Sequence, residues 1–273
     1  MKKVVFVFIS IGLLLLSLPN KTSATIEKIN IKLSDDEIAM TFLNLSDGES
    51  TLIHLPNGEN VLVNTGGEGT KKELEELLVL YNVTKLTTII LTKDEPEFIA
   101  NLGWLVERYK KAKIVIGSHF SNSLILPNNP KTLWENGDVY HFSKNHFVKV
   151  MNESKDSSGS LGMDLMFQFG TNETLYMTSS NSELEKSMQS IKGLPNTNIL
   201  KVADFGSQRG TTERFVSYVD PQIAIIFHKR GQLPSQDVLE RLNSTWIDIY
   251  YTKQFGNVTI KYNGTNYEVI PFP

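Results

Sequence analysis

Four charged residues crowd one short junction in the stretch "IILTKDEPEFIANLGWL": Lys93, Asp94, Glu95 and Glu97. β-branched and leucine residues lead up to Thr92, and beyond Pro96 the apolar residues return at helical spacing. A strand that hands carboxylates to the start of a helix gathers oxygen ligands on one rim, and all-oxygen sets suit hard cations such as Mg²⁺, Mn²⁺ or Ca²⁺. A further acid, Asp204, follows another apolar run in "ILKVADFGS". Imidazole is poorly placed by comparison. His54, His119, His141, His146 and His228 fall on separate strands and loops, without the close spacing of zinc ligands. His141 and His146 flank a hairpin turn, and His228 ends an apolar strand; hydrogen-bonded histidine is the simpler reading of each. No cysteine is present, which excludes a thiolate nucleophile, Cys-ligated zinc and disulfides.

The elements that must carry these residues alternate between two periods. Lys28 to Leu33, Ile38 to Asn44, Ser50 to Leu55 and Val61 to Thr65 read as strands of an antiparallel meander, with turns at Ser46-Asp47-Gly48 and Pro56-Asn57-Gly58. Helices are predicted over Lys71 to Tyr81 and Glu97 to Lys110, around strands Leu86 to Leu91 and Lys113 to Ile116. The second half repeats that order. Strands at Val139 to Phe142, His146 to Met151, Met163 to Phe169 and Glu173 to Thr178 precede helices at Glu183 to Ile191, Thr212 to Val219 and Ser235 to Asn243, with strands at Ile199 to Val202 and Ile223 to Phe227 and closing strands to Val269. A meander followed by alternating helices and strands, twice over, predicts two sheets face to face with helices outside, in one domain.

The first residues differ from the rest. Met1-Lys2-Lys3, an uncharged apolar run from Val4 to Leu18, Pro19 and the small residues Thr22-Ser23-Ala24 predict an export signal over 1–24, ahead of a domain over 25–273. The alternative is an uncleaved anchor, although the run is short for a span of about 20 residues. The whole chain carries 27 Lys and Arg against 30 Asp and Glu. Loss of Lys2, Lys3 and Lys21 with a leader shifts its net charge from -3 to -6, so no basic track for a phosphate backbone is expected. Neither a Gly-x-Ser-x-Gly elbow nor a Gly-Lys-Ser/Thr phosphate loop occurs.

Five segments, in order, carry a family resemblance. "MTFLNLSDGESTLIHLPNGENVLVNTGG" is similar to an opening that runs Phe-Leu-Asp-Val-Gly-Gln-Gly-Asp-Ser and ends in Ile-Asp-Gly-Gly. "LTKDEPEFIANL" is similar to the metal motif Leu-Thr-His-Pro-Asp-Ala-Asp-His-Ile-Gly-Gly-Leu. "TLYMTSS" stands where a strand ends in Thr-Gly-Asp, "ILKVADFGSQRG" where Lys-Val-Gly-His-His-Gly-Ser occurs, and "LPSQDVLERL" where Gly-His-Pro-Ser-Pro-Glu-Val-Leu-Glu-Arg-Leu occurs. On these segments the chain resembles the metallo-β-lactamase superfamily and, more narrowly, the hydrolase-like C-terminal domain of ComEC competence proteins. The resemblance implies an α/β four-layer αββα sandwich. It also implies a pocket where the family's imidazoles and carboxylates hold one or two metal ions that activate water against a phosphodiester or other ester.

The family's ligand positions hold other residues here. Lys93 and Phe98 stand for the histidines of the metal motif, Glu95 and Glu97 for its aspartates, and Ser180 for the bridging acid. Asp204 and Phe205 replace the His-His pair, Leu233 the His before Pro, Asn64 the turn aspartate, and Asn44 and Glu49 the opening acids. A lysine ammonium cannot donate a lone pair to zinc, and phenylalanine has none. The expectation is therefore an exported, catalytically inactive ComEC-like protein that binds or assists, with a vestigial pocket of Lys93, Glu95, Glu97, Phe98, Ser180, Asp204 and Phe205 and no cofactor, zinc least of all. The alternative is a secreted phosphodiesterase or nuclease using Mg²⁺ or Mn²⁺ on Glu95, Glu97 and Asp204. No partner is legible, and membrane contact is expected only from an uncleaved N-terminal segment.

Overall fold

A computed structural model describes residues 28–118, 120, 130–154, 161–191 and 193–272. The export signal and His119 lie outside the described residues. Strands β1 (Ile38–Phe42), β2 (Thr51–His54) and β3 (Asn60–Val63) form the expected antiparallel meander. After helix α1 (Lys71–Leu80), strands β4 (Leu86–Ile90), β5 (Lys113–Gly117) and β6 (Lys131–Trp134) add in parallel. A second sheet takes β7 (Val139–His141), β8 (His146–Glu153), β9 (Met163–Phe169) and β10 (Asn172–Tyr176) as antiparallel neighbours. Strands β11 (Thr197–Lys201), β12 (Ile223–Ile226) and β13 (Asp248–Tyr251) then extend it in parallel.

The chain ends by crossing back. Strands β14 (Asn257–Tyr262) and β15 (Tyr267–Phe272) form a hairpin, and β14 pairs antiparallel with β1. The sheets thus hold eight strands and seven, so the first sheet needs the last residues to be complete. Their facing sides share one apolar layer that includes Phe42, Ile53, Val63, Phe167, Tyr176 and Ile225. The other face of each sheet is covered by helices. Leu74, Leu78 and Leu105 lie in the cluster on the first sheet, and Phe215, Val216, Val238 and Leu242 in the cluster on the second. This is the four-layer αββα sandwich, and strands buried on both faces explain why their sequences read as apolar runs.

Two expected elements are corrected. Lys28 to Leu33 is not a strand: among the described residues only Ile29 N–H of this stretch finds a backbone acceptor, Leu80 O at 2.8 Å, and Ile29 and Ile31 instead pack on the helix-covered cluster. The helix expected over Glu97 to Lys110 is broken into α2 (Pro96–Ile99) and α3 (Leu102–Arg108). At the break, Asn101 N–H donates to Thr65 Oγ1 at 3.2 Å, and the Asn101 amide donates to Thr65 O at 2.7 Å and Thr70 Oγ1 at 2.9 Å. Those tertiary bonds replace continuation of the helical ladder. The remaining helices are α4 (Ser182–Met188), α5 (Glu213–Val219), α6 (Gln236–Ser244) and α7 (Thr252–Phe255).

One buried histidine gives the fold a pH signature. His54, on β2, is pushed down to about 4 by burial, from its ordinary 6.5. Between those values the unfolded chain binds a proton that the folded chain refuses, so this residue makes stability fall as pH drops from 6.5 toward 4. The loss is at most about 3 kcal/mol. Urea titrations of wild type and His54→Gln across that range should give a flatter stability curve for the variant; parallel curves would contradict the assignment.

Candidate functional site

The site lies where several strands end. At the end of β3, Asn64 adopts a left-handed conformation (φ 60°). Its Oδ1 accepts from Thr92 N–H at 2.8 Å, and its Nδ2 donates to Glu49 Oε1 at 2.7 Å. One side chain therefore ties the exits of β3 and β4 to the loop before β2. That loop carries Gly48 at φ 77°, where an added Cβ would sit 2.2 Å from Glu97 O, so only glycine fits the close approach. Glu49 N–H also donates to Glu97 O at 3.0 Å, which fixes the start of α2.

On this frame the expected residues form a chain of contacts. Lys93 Nζ lies 3.1 Å from Glu95 Oε1 and 5.6 Å from the Phe98 ring centre. Phe98 meets Phe205 at 5.8 Å between ring centres, tilted by 51°. Lys229 Nζ lies 5.4 Å from the Phe205 ring centre and 2.7 Å from Glu97 Oε1. Asp204 is held by Arg209 at 2.7 Å. Two aromatic rings thus pack together in the middle, each faced by an ammonium, and each ammonium is paired with a glutamate. Lysine over an aromatic face is attracted by the ring quadrupole. Burial pushes the Glu97 carboxyl up, but the Lys229 hydrogen bond, a bond from its own backbone N–H and the charges of Lys229 and Lys93 together hold it below the usual carboxylate range.

Lys229 and Arg209 were missed from sequence. The only trace of the first is a cation two residues beyond the apolar run that ends at Phe227, and of the second a cation five residues beyond Asp204. Ser180 is buried, but its Oγ makes no hydrogen bond, and it lies beside Gly210 and Glu185, outside the ring and ion-pair chain. Leu233 is 73% exposed and faces solvent. Asn44 N–H donates to Asn257 Oδ1 at 2.9 Å, a structural link to β14. His54 and His146 are buried on strands, His141 is exposed, and His228 N–H caps onto Thr252 Oγ1 at 3.1 Å.

Backbone strain marks the same place. Asp204 (φ 44°, ψ 50°) and Phe205 (φ 56°, ψ 28°) are consecutive left-handed residues. That conformation costs non-glycine residues about 1–2 kcal/mol each. Asp204→Gly removes the strain at one position together with an Arg209 pair that is half exposed on the arginine side and worth under about 1 kcal/mol. The variant should therefore be neutral or up to about 1 kcal/mol more stable by urea denaturation; a loss above about 2 kcal/mol would show that the pair dominates.

The metal ions implied by the fold do not fit these residues. Among the described residues, no group of three or more His, Asp or Glu side chains converges as a ligand set. The donors that survive are engaged by internal cations, and the two phenylalanines fill space between them. Beside Lys93 a cavity of about 90 Å³ is lined by Glu95, Gly117, Glu153, Gly162 and Met163 among others. Its walls mix charged side chains such as Lys93, Glu95 and Glu153 with apolar ones such as Phe120 and Met163.

No family model matches the chain. It is 24% identical over 263 residues to ComE operon protein 3 of Bacillus subtilis, covering 84% of this chain and 33% of that protein. It is 23% identical over 229 residues to Recombination protein 2 of Haemophilus influenzae, covering 81% and 28%. The chain thus spans about a third of the length of these curated relatives. Among solved structures, the metallo-β-lactamase fold protein YhfI of Bacillus subtilis matches with a TM-score of 0.58 at 13% identity, over 79% of this chain and 96% of that one. By fold and by sequence together, the chain is a protein of metallo-β-lactamase fold that resembles the ComEC-like proteins.

Proposed function

We propose that this chain is an exported, catalytically inactive member of the ComEC-like fold, acting as a binding or accessory module rather than a hydrolase. The observation that carries the reading is the internal neutralisation of the site: Glu95, Glu97 and Asp204 each have a cation of the chain itself as partner. A metal ion would have to displace these partners and would gain no imidazole in return. Lys93 and Lys229 supply positive charge beside Glu95 and Glu97 without any cofactor, so the site needs no ion to offset these acids. The small cavity beside Lys93 is where a ligand group would enter.

Export is the second part of the proposal and rests on the leader-like residues 1–24. Among the described residues, no helix is long and apolar enough to cross a membrane.

The test is a phosphodiesterase and nuclease screen of the purified protein with Mn²⁺, Mg²⁺ or Zn²⁺ added. Background rates are expected under every condition. Turnover abolished by Glu95→Ala or Asp204→Ala would replace this reading with that of a carboxylate-based hydrolase.

A further inference from the structure

Behind the frame of the site, Glu49 also meets a buried cation, Lys201, that the site itself does not use. Lys201, at the end of β11 in the seven-stranded sheet, and Glu49, in the loop before β2 of the eight-stranded sheet, are both fully buried. The Lys201 ammonium is in direct contact with Glu49 Oε2. Aromatic rings enclose the nitrogen: Nζ lies 4.6 Å from the centre of Tyr176 and 5.6 Å from that of Phe227. Met177 O accepts one of its hydrogens at 3.0 Å. On the carboxylate, Oε1 accepts from Asn64 Nδ2 at 2.7 Å and from Tyr176 O–H at 3.2 Å. No substrate can reach a pair that solvent does not reach, so the cluster acts on itself or only holds the fold.

We propose that Lys201 and Glu49 are joined by an intramolecular isopeptide bond that ties the two sheets together covalently. Burial already favours the reactive form of both groups, since it raises the Glu49 carboxyl and lowers the Lys201 amine. A proton passes from Nζ to Oε2, which leaves a neutral amine beside a carboxylic acid. The nitrogen lone pair attacks Glu49 Cδ and forms the C–N bond, while the carbonyl electrons move onto Oε1. Asn64 Nδ2 and Tyr176 O–H donate to that oxygen and stabilise its developing charge, as an oxyanion hole does. Oε2 takes a second proton from the nitrogen and leaves as water, so the step needs no oxidant or co-reactant. The product amide replaces two ions whose desolvation is unfavourable in a dry interior. It would also give a chain without cysteine a permanent cross-link.

Intact-mass spectrometry of the denatured full chain tests this directly. The wild type is expected to be lighter by one water than the mass of its linear sequence, and Lys201→Met and Glu49→Ala are each expected to show the full linear mass of their own sequence. Because the mass is read on unfolded protein, the outcome does not depend on either variant folding. In a tryptic digest, residues 33–71 and 193–209 should appear as one linked species without cleavage after Lys201. A wild-type mass equal to that of the linear sequence would overturn the proposal. A loss of one ammonia instead of water would place the link on Asn64 and overturn the assignment to Glu49.

Discussion

Phe205→Ala is expected to destabilise the fold by about 3–5 kcal/mol, and Phe98→Ala by a similar amount. Both rings are essentially fully buried, and each is the other's partner at the centre of the site. Truncating either removes its own burial and leaves a cavity that rigid strand ends cannot collapse. The ammonium facing the lost ring also loses its aromatic face, so Lys229 or Lys93 is left with its glutamate alone. The double variant should cost less than the sum of the two, because the rings share one cavity. Phe205→Leu, which keeps most of the volume, should cost under about 1.5 kcal/mol. Against a total stability of about 5–15 kcal/mol, the alanine losses are large enough for urea denaturation to resolve without ambiguity. A loss below about 1 kcal/mol for either alanine variant would mean that the rings do not plug the site.

Asp164→Ala should be comparably damaging for a different reason. This fully buried carboxylate on β9 accepts from Thr178 N–H at 2.6 Å, Ser179 N–H at 2.8 Å and Asn152 Nδ2 at 3.0 Å. Burial pushes its carboxyl up despite those donors. Together the bonds fix the turn after β10 that leads to Ser180. Alanine would leave the Thr178 and Ser179 N–H groups buried without this acceptor, each costing about 1–3 kcal/mol before relaxation, while Asn152 Nδ2 keeps Gly162 O at 3.1 Å. A net loss of about 3–5 kcal/mol is expected by urea denaturation, with Asp164→Asn losing roughly half as much because one acceptor survives. Equal losses for the two variants would show that charge, rather than hydrogen bonding, is what the site requires.

The sandwich was legible because its strands are apolar on both faces and its helices on one, and because five family-like segments keep their order along the chain. What escaped the sequence was decided by long-range pairing. Nothing in "NVTIKY" says that β14 crosses back to β1, since the strand would read the same in either sheet. The break before α3 comes from Thr65, 36 positions away, which takes the Asn101 N–H. The same limit applied at the site. Lys93, Glu95, Glu97, Phe98, Asp204 and Phe205 could be placed in one pocket by motif position. Their grouping around a pair of rings could not, because it depends on Lys229, which no motif marks. Ser180 and Leu233 illustrate the converse: motif position named them, while packing turned one away from the ion-pair chain and the other to solvent.

The central claim, that this fold holds its site together without metal, is tested most directly by elemental analysis of the purified protein, combined with thermal unfolding before and after a chelator and with added Zn²⁺, Mn²⁺ or Mg²⁺. The account predicts no stoichiometric metal and an unchanged midpoint in every case, because Lys93, Lys229 and Arg209 already neutralise the acids. Stoichiometric metal in the purified protein, or a midpoint that falls with chelator and recovers with one of these ions, would contradict it.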